Sequence, residues 1–463
     1  MKKIYFLLLI CAFSVQVNAQ TNRFKQAVFT DAQIKVDTNI VYGSALNFSP
    51  AVTVPLRMDI YHANPSFDTL KNRPVIILFH SGSFLPASIN ASSPSNGGAF
   101  LGTRRDSAMV EMCRQLAKRG WVAIAATHRL GWVANSPSSN TQKITIMRAV
   151  YRATQDSRTL MRYMRKSIDS MSNVYRIDGN KIVVGGSSSG AYVALHANSL
   201  DKGSDILAPN LLDSIGNSVI DTVSLGGFYA GNHKGYNSRP NLVLSLGGAI
   251  ADTSIMSKSD APIIAFHGVK DPTTPYNRGI VKNAGTFAPI TTVDGSNSFI
   301  LTANNLGINA PVIAAGIGGT KAGLFPFIGA GFEPYGWYNK APLFAPTNAR
   351  PRALLYIDTI LNTFSPIAIS ILNLNTNQPS NVKKIESIGL KIYPNPAKDV
   401  LNVSVLNANI ENIALIDVTG KTVLSSSINN NQGQVNIGEL SKGIYTVLIQ
   451  TTTGSVFQKL VIE

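Results

Sequence analysis

An α/β fold built on a mostly parallel sheet, followed by a small all-β sandwich, is the architecture this sequence predicts, on three observations. Across 51–365, short β-rich runs alternate with helical stretches, the pattern of parallel strands joined by helices on both faces of a sheet. A polar stretch at 373–381 (NLNTNQPSN) carries no apolar period and reads as a linker. Beyond it, seven short alternating segments separated by turn signals fill 385–463, as in a β-sandwich. At 463 residues, 44% hydrophobic and 14% charged, the chain has room for two or three domains and is too apolar for a disordered state.

Taken in order, residues 1–19 read as an export leader. Lys2 and Lys3 precede an apolar region at 4–17, and the small-residue site Val17-Asn18-Ala19 precedes Gln20. Cleavage there removes Cys11, lowers the net charge from +16 to +14 and leaves Cys113 as the single cysteine. Cys113 falls on an apolar helix face and reads as core; with no internal disulfide possible, stability rests on packing. No other apolar run approaches membrane-span length, so no transmembrane segment is expected. The positive charge is spread without a Lys/Arg run interleaved with aromatics, which argues against nucleic acid and for an anionic cell surface or polysaccharide.

Residues 20–50 read as an N-terminal extension, and 51–366 as the α/β domain. Its strand runs fall at 74–80, 121–127, 181–184, 241–246, 262–267 and 311–315. The longest helix, 143–171, places Met147, Val150, Thr154, Ser157, Met161, Met164 and Ile168 on one stripe at 3.6-residue spacing. Its Arg148, Arg152, Arg162, Arg165 and Lys166 fall on other faces and read as a solvated surface. Residues 320–351, rich in Gly, Pro, Phe and Tyr, read as a long loop at the edge of a site. A linker follows at 367–384, then the small β domain at 385–463.

The chemistry centres on Lys181-Ile182-Val183-Val184-Gly185-Gly186-Ser187-Ser188-Ser189-Gly190-Ala191. A strand, a glycine-flanked turn and a helix start hold Ser188 on a strained backbone, where only small neighbours let strand and helix approach. The Ser189 amide then lies at a helix N-terminus, able to donate to an oxyanion. A second run, Val75-Ile76-Ile77-Leu78-Phe79-His80-Ser81-Gly82-Ser83-Phe84, is a strand ending in a small-residue loop. A third, Pro262-Ile263-Ile264-Ala265-Phe266-His267-Gly268-Val269-Lys270-Asp271, ends a strand on an acidic loop.

On these three motifs, 51 to about 365 resembles the α/β-hydrolase superfamily, particularly secreted carboxylesterases and feruloyl-esterase-like enzymes. The resemblance implies Ser188 as nucleophile, Asp271 as triad acid, and the amides of Gly82, Ser83 and Ser189 as the oxyanion hole. The chain departs from the family where Ser81 and Ser83 replace glycines. His80 and His267 are structural in the family, and His128 is expected to take a hydrogen-bonded structural role. The general base should follow the acid, yet His62, His80, His128, His196, His233 and His267 all precede Asp271. In Gly329-Ala330-Gly331-Phe332-Glu333-Pro334, Phe332 occupies the place of the family histidine. His233 is the possible substitute base, with Glu333 a further one.

The tail resembles the C-terminal sorting domain of proteins exported by the type IX secretion system. It does so through Ile392-Tyr393-Pro394-Asn395-Pro396-Ala397, Leu401-Asn402-Val403, Asp417-Val418-Thr419-Gly420-Lys421, Leu440-Ser441-Lys442-Gly443-Ile444-Tyr445 and Lys459-Leu460-Val461-Ile462. Together the two resemblances imply a protein secreted or placed on the cell surface by way of the periplasm, with the type IX machinery as partner. They imply a hydrolase of carboxylic acyl esters, small or polysaccharide-linked, whose turnover is weak or lost through Phe332. The alternative is a non-catalytic surface binding or scaffold protein keeping the hydrolase fold. No cofactor or metal is expected, because no His, Cys or carboxylate pair shows ligand spacing and no Walker loop is present.

Overall fold

A computed structural model describes residues 23–48, 51–85, 102–283, 286–327, 349–374, 389–406, 408–417, 422–452 and 454–463. The expected leader, Phe332 and Glu333 lie outside them. Eight strands form the main sheet in the order β1 (Ile34–Leu46), β2 (Thr53–Ala63), β4 (Val122–Ala126), β3 (Arg73–Phe79), β5 (Ile177–Ser187), β6 (Leu242–Leu246), β8 (Ile263–Gly268), β11 (Leu324–Phe327). From β4 to β11 all pairs are parallel, while β1 and β2 join antiparallel. This is the α/β-hydrolase architecture. β7 (Ala249–Ile250), β9 (Arg278–Lys282) and β10 (Pro289–Gly295) make a small separate sheet.

The alternation of side chains along a strand divides the core into two. Val75, Ile77 and Phe79 of β3 face the cluster closed by α2 (Ser139–Ser170), α3 (Ser189–Ser199) and α4 (Ser296–Asn305). Ile76 and Leu78 face the cluster closed by α1 (Ser107–Lys118) and α6 (Ala349–Ile371). Cys113 is buried in this second cluster beside Leu116 and Trp121.

Several sequence readings are corrected here. The run 311–315 is not a strand: it contributes to a helix, α5 (Ala310–Ala314), with Pro311 in its first turn, where a missing N–H costs nothing. The eighth strand is β11, inside the segment read as loop. The extension 20–50 carries β1, which pairs along β2, and Arg23, whose guanidinium meets buried Asp68 at 2.6 Å. The last helix runs past 366 to Ile371, with Ile367, Ala368, Leu372 and Leu374 buried on the core. Residues 350–371 are long and apolar enough to cross a membrane by length and composition, but Ile357, Ile360, Leu361 and Phe364 pack inside the domain.

The basic face of α2 is not solvated. Arg152, Arg158 and Arg162 are buried; Arg152 donates to the Gly131 carbonyl, and the rest of the row donates to backbone carbonyls of one irregular segment, 212–239. Lys143 reaches Leu212, Arg148 Val219, Tyr151 Gly226, Gln155 Leu225, Arg158 Phe228, Arg162 Tyr229 and Ala230, and Arg165 Asn237 and Arg239. A guanidinium with five donors satisfies several carbonyls at once, and sequence periodicity cannot distinguish that from contact with water.

In the tail, β12 (Lys391–Tyr393), β13 (Val400–Ser404) and β16 (Gln432–Asn436) form one sheet. β15 (Thr422–Asn430), β14 (Ile410–Ile416), β17 (Gly443–Thr451) and β18 (Gly454–Ile462) form the other. Leu401 and Val403 of the first interleave with Ile413, Leu415, Val447 and Leu460 of the second in one core, as expected of a sandwich.

Candidate active site

Parallel register brings the strand exits together. Phe79 pairs with Gly186, Ser187 with Leu246, Leu246 with Phe266 and Gly268 with Phe327, so the loops that follow leave from one edge of the sheet.

There β5 turns into α3 through Ser188, at φ 51° and ψ −117°, a conformation costing about 1–3 kcal/mol. The turn is held from both sides. The Ser188 amide donates to Leu246 at 2.8 Å, and the Ser188 carbonyl accepts from the amides of Ala191 and Tyr192 at 2.8 and 3.2 Å. A Cβ on Gly186 would lie 2.4 Å from the Gly190 carbonyl carbon, and one on Gly190 only 2.0 Å from the Phe79 carbonyl oxygen. Of residues 182–200, Ser188 alone is not buried.

After β3 the chain takes three successive left-handed residues, Gly82 (φ 121°), Ser83 (φ 53°) and Phe84 (φ 55°). Ser83 thus adopts a conformation that a glycine would take without penalty. The Trp132 indole donates to the Ser83 carbonyl at 2.9 Å and the Gly131 amide to the Phe84 carbonyl at 2.7 Å. With those carbonyls tied down, the amides of Gly82, Ser83 and Ser189 donate to no acceptor among the described residues. Ser83, Ser188 and Ser189 line one cleft of about 520 Å³, solvent mouth included, walled by Phe84, Trp132, Met147, Val150 and Ile290.

Asp271 stands just behind this cleft. Its Oδ1 accepts from the Thr273 amide (2.8 Å), the Thr273 hydroxyl (3.0 Å) and the Thr274 amide (2.9 Å), and both threonines line the cleft. Its Oδ2 faces His267 Nε2 at 3.8 Å. His267 is fully occupied elsewhere: Nδ1 pairs with the Ser296 hydroxyl at 2.8 Å and Nε2 with the Thr274 carbonyl at 3.2 Å. Burial lowers its pKa against the pull of Asp271. The Tyr192 hydroxyl also lines this corner; burial, with the Asp271 charge added, pushes it up.

No imidazole is hydrogen-bonded to Ser188 among the described residues. His233, the expected substitute, is not brought to it. His233 Nε2 bonds the Tyr42 carbonyl at 2.9 Å, and Tyr42 lies on edge strand β1, four strands from β5, about 19 Å at ordinary inter-strand spacing. His196 pairs with the Tyr192 carbonyl and accepts the Ala251 amide, its pKa held down to about 4 by burial. His62 is spent on Asp37 and the Ala63 carbonyl.

His128 departs from its expected role: neither ring nitrogen has a hydrogen-bond partner among the described residues. It stacks on His80 at 4.5 Å, with Phe79 and Phe84 edge-on. Burial keeps both rings neutral, His80 at about 4 and His128 well below its usual range. Among the described residues no group of three His, Cys, Asp or Glu could hold a metal.

The opposite side of the elbow holds a smaller cleft where Asp106 approaches Ser81, Gly186 and Ser187. The Asp106 carboxylate accepts from the Thr103 amide and hydroxyl at 3.0 and 3.2 Å, yet burial raises its pKa to about 7. The folded state therefore binds a proton here that the unfolded chain releases near pH 4, and stability falls as pH rises between those values. Asp106→Asn should melt above wild type at pH 8, with the advantage shrinking by pH 5 and gone below about pH 4. Thermal unfolding at the three pH values checks this; an advantage that does not change with pH contradicts it.

Residues 391–463 match the family described as "Secretion system C-terminal sorting domain". The tail is thus a sorting domain of the type IX secretion system. No curated sequence matches the chain. Among solved structures it is similar to apo Thermogutta terrifontis esterase 2, at 17% identity over 72% of this chain and 93% of that one, TM-score 0.37. The butyrate-bound form of the same esterase gives 16%, 72%, 93% and 0.38, and the form phosphorylated by paraoxon 17%, 72%, 93% and 0.37.

Proposed function

We propose that this chain is an exported, esterase-like serine hydrolase that receives carboxylic acyl esters at Ser188 and turns them over weakly. The carrying observation is a strained Ser188 facing the same cleft as amides of the oxyanion loop that have no acceptor among the described residues. In this reading Ser188 Oγ adds to the ester carbonyl and the amides of Gly82, Ser83 and Ser189 receive the negative charge as it forms. Asp271 is the triad acid, but it has no imidazole to orient, because Phe332 takes that place in the family pattern. What remains is the catalysis of an oxyanion hole and binding alone, about 10³–10⁴ over water. Substrates are small or polysaccharide-linked acyl esters met outside the cell.

The lack of an imidazole on Ser188 favours one second reading, a surface protein that binds through this cleft without chemistry. A fluorophosphonate probe distinguishes them, since it reports serine activation directly. Slow labelling of purified protein is expected, abolished by Ser188→Ala and accelerated about 10²-fold by Phe332→His, the usual range of a general base. Absence of labelling in both wild type and Phe332→His would establish the non-catalytic reading. Labelling of wild type at full esterase speed would show that another base serves Ser188.

A further inference from the structure

The helix that walls the ester cleft also builds a second site. Val150 of α2 lines the cleft, and Arg162 lines a separate groove, about 18 Å further along at 1.5 Å per residue. The groove encloses about 1140 Å³, solvent mouth included, and its other wall is the segment 227–238.

Three rings stand in that wall, each fixed from beneath. Tyr229 is 45% exposed, and the Arg158 guanidinium lies 5.1 Å from its centroid, covering one face and leaving the other. Phe228 meets Tyr151 edge-on at 5.9 Å, and the Tyr236 hydroxyl lies 3.4 Å from that of Ser170. Arg158, Arg162 and Arg165 hold the backbone carbonyls behind these rings, so binding would cost little ordering of the wall. The lining includes no acidic side chain; Lys234 is exposed there, and Lys166 and Arg162 add positive charge nearby.

We infer that this groove binds an acidic polysaccharide of the uronate class. The electron-rich ring faces suit the C–H surfaces of sugar rings, and Lys234 suits the carboxylates between them, as electrostatic complementarity requires. The site is distinct from Ser188 and stands whether or not that serine is catalytic.

Affinity electrophoresis of the full chain through gels containing polygalacturonate tests it, with neutral galactomannan and a single-stranded DNA oligonucleotide as comparisons. Expected is retardation by polygalacturonate that weakens with added salt and is unchanged in Ser188→Ala. Tyr229→Ala and Tyr236→Ala should each weaken it at least tenfold at unchanged melting temperature, and Lys234→Ala should flatten the salt dependence. Unretarded mobility overturns the proposal. So does retardation that both tyrosine variants retain, which diffuse positive charge would give. Retardation by galactomannan alone, or by DNA as strong as by polygalacturonate, overturns it equally.

Discussion

Gly190→Ala should leave little soluble, folded protein, with any folded fraction destabilised by about 4 kcal/mol or more, at the extreme of single substitutions. A helical Ala is ordinarily favoured over Gly, so the sign itself is diagnostic. The added methyl would sit 2.0 Å from the Phe79 carbonyl oxygen and 2.8 Å from that of His80, and both oxygens belong to backbone. No rotamer can relieve the contact; β3, β5 or α3 must shift, and with them the register that sets Ser188 against Ser83. Urea unfolding of whatever is recovered provides the measure. A midpoint indistinguishable from wild type would mean that strand and helix do not meet as described.

The second large effect falls on Arg158, which has no carboxylate in contact among the described residues. It donates to the Phe228 carbonyl at 2.7 Å and to those of His196, Ala197 and Leu200 at 3.5, 3.2 and 2.7 Å. The last three end α3, so one guanidinium caps the helix carrying Ser188 and anchors the segment beside it. Its pKa is lowered to about 10 by burial, and it stays charged at neutral pH. Arg158→Met keeps most of the volume and removes every donor. It should cost about 3 kcal/mol through unmet carbonyls, and Arg158→Ala more, through the cavity added. Arg158→Lys should recover only part, because one ammonium cannot bridge both sites. Urea midpoints, together with proteolysis of the segment at 212–239, check the series. A cost below about 1 kcal/mol for Met would show those carbonyls to be hydrated.

What could be read from sequence tracks how local the cause is. Gly186, Ser188 and Gly190 were legible because a strand running into a helix across one residue needs small neighbours at fixed spacing. All seven tail strands were legible because turn residues punctuate a period of two. The eighth strand of the main sheet was missed: Leu324–Phe327 is four residues long in a stretch rich in Gly and Phe, and 311–315 offered a more apolar run. The arginines of α2 were misread because their partners are distant carbonyls, about 70 positions away for Arg148, Arg158, Arg162 and Arg165, and a carbonyl has no letter in the sequence. His128 was misjudged for a related reason, since its neighbours His80 and Phe84 come from another strand end. At the cleft, Trp132 and Thr274 were not legible, because they join it only through the fold, and Asp271, expected after a strand end, stands behind it as the acceptor of the Thr274 amide.

The segment at 212–239 is fastened mainly through its main-chain carbonyls, with Val219 and Ile220 set in the core and Asn232 and His233 tied to β1 by their side chains. Every residue type presents the same carbonyl, so the carbonyl anchors place no demand on the side chains that point outward. Mutation can therefore rewrite its outward surface without loosening its attachment, much as hypervariable loops change on a constant framework. Selection on what the protein meets outside the cell could act there separately from selection on the elbow, where a single methyl is excluded. A library randomised at 229, 234 and 236 would keep its fold in most members, and the segment offers itself as a place to graft new recognition onto an exported chain.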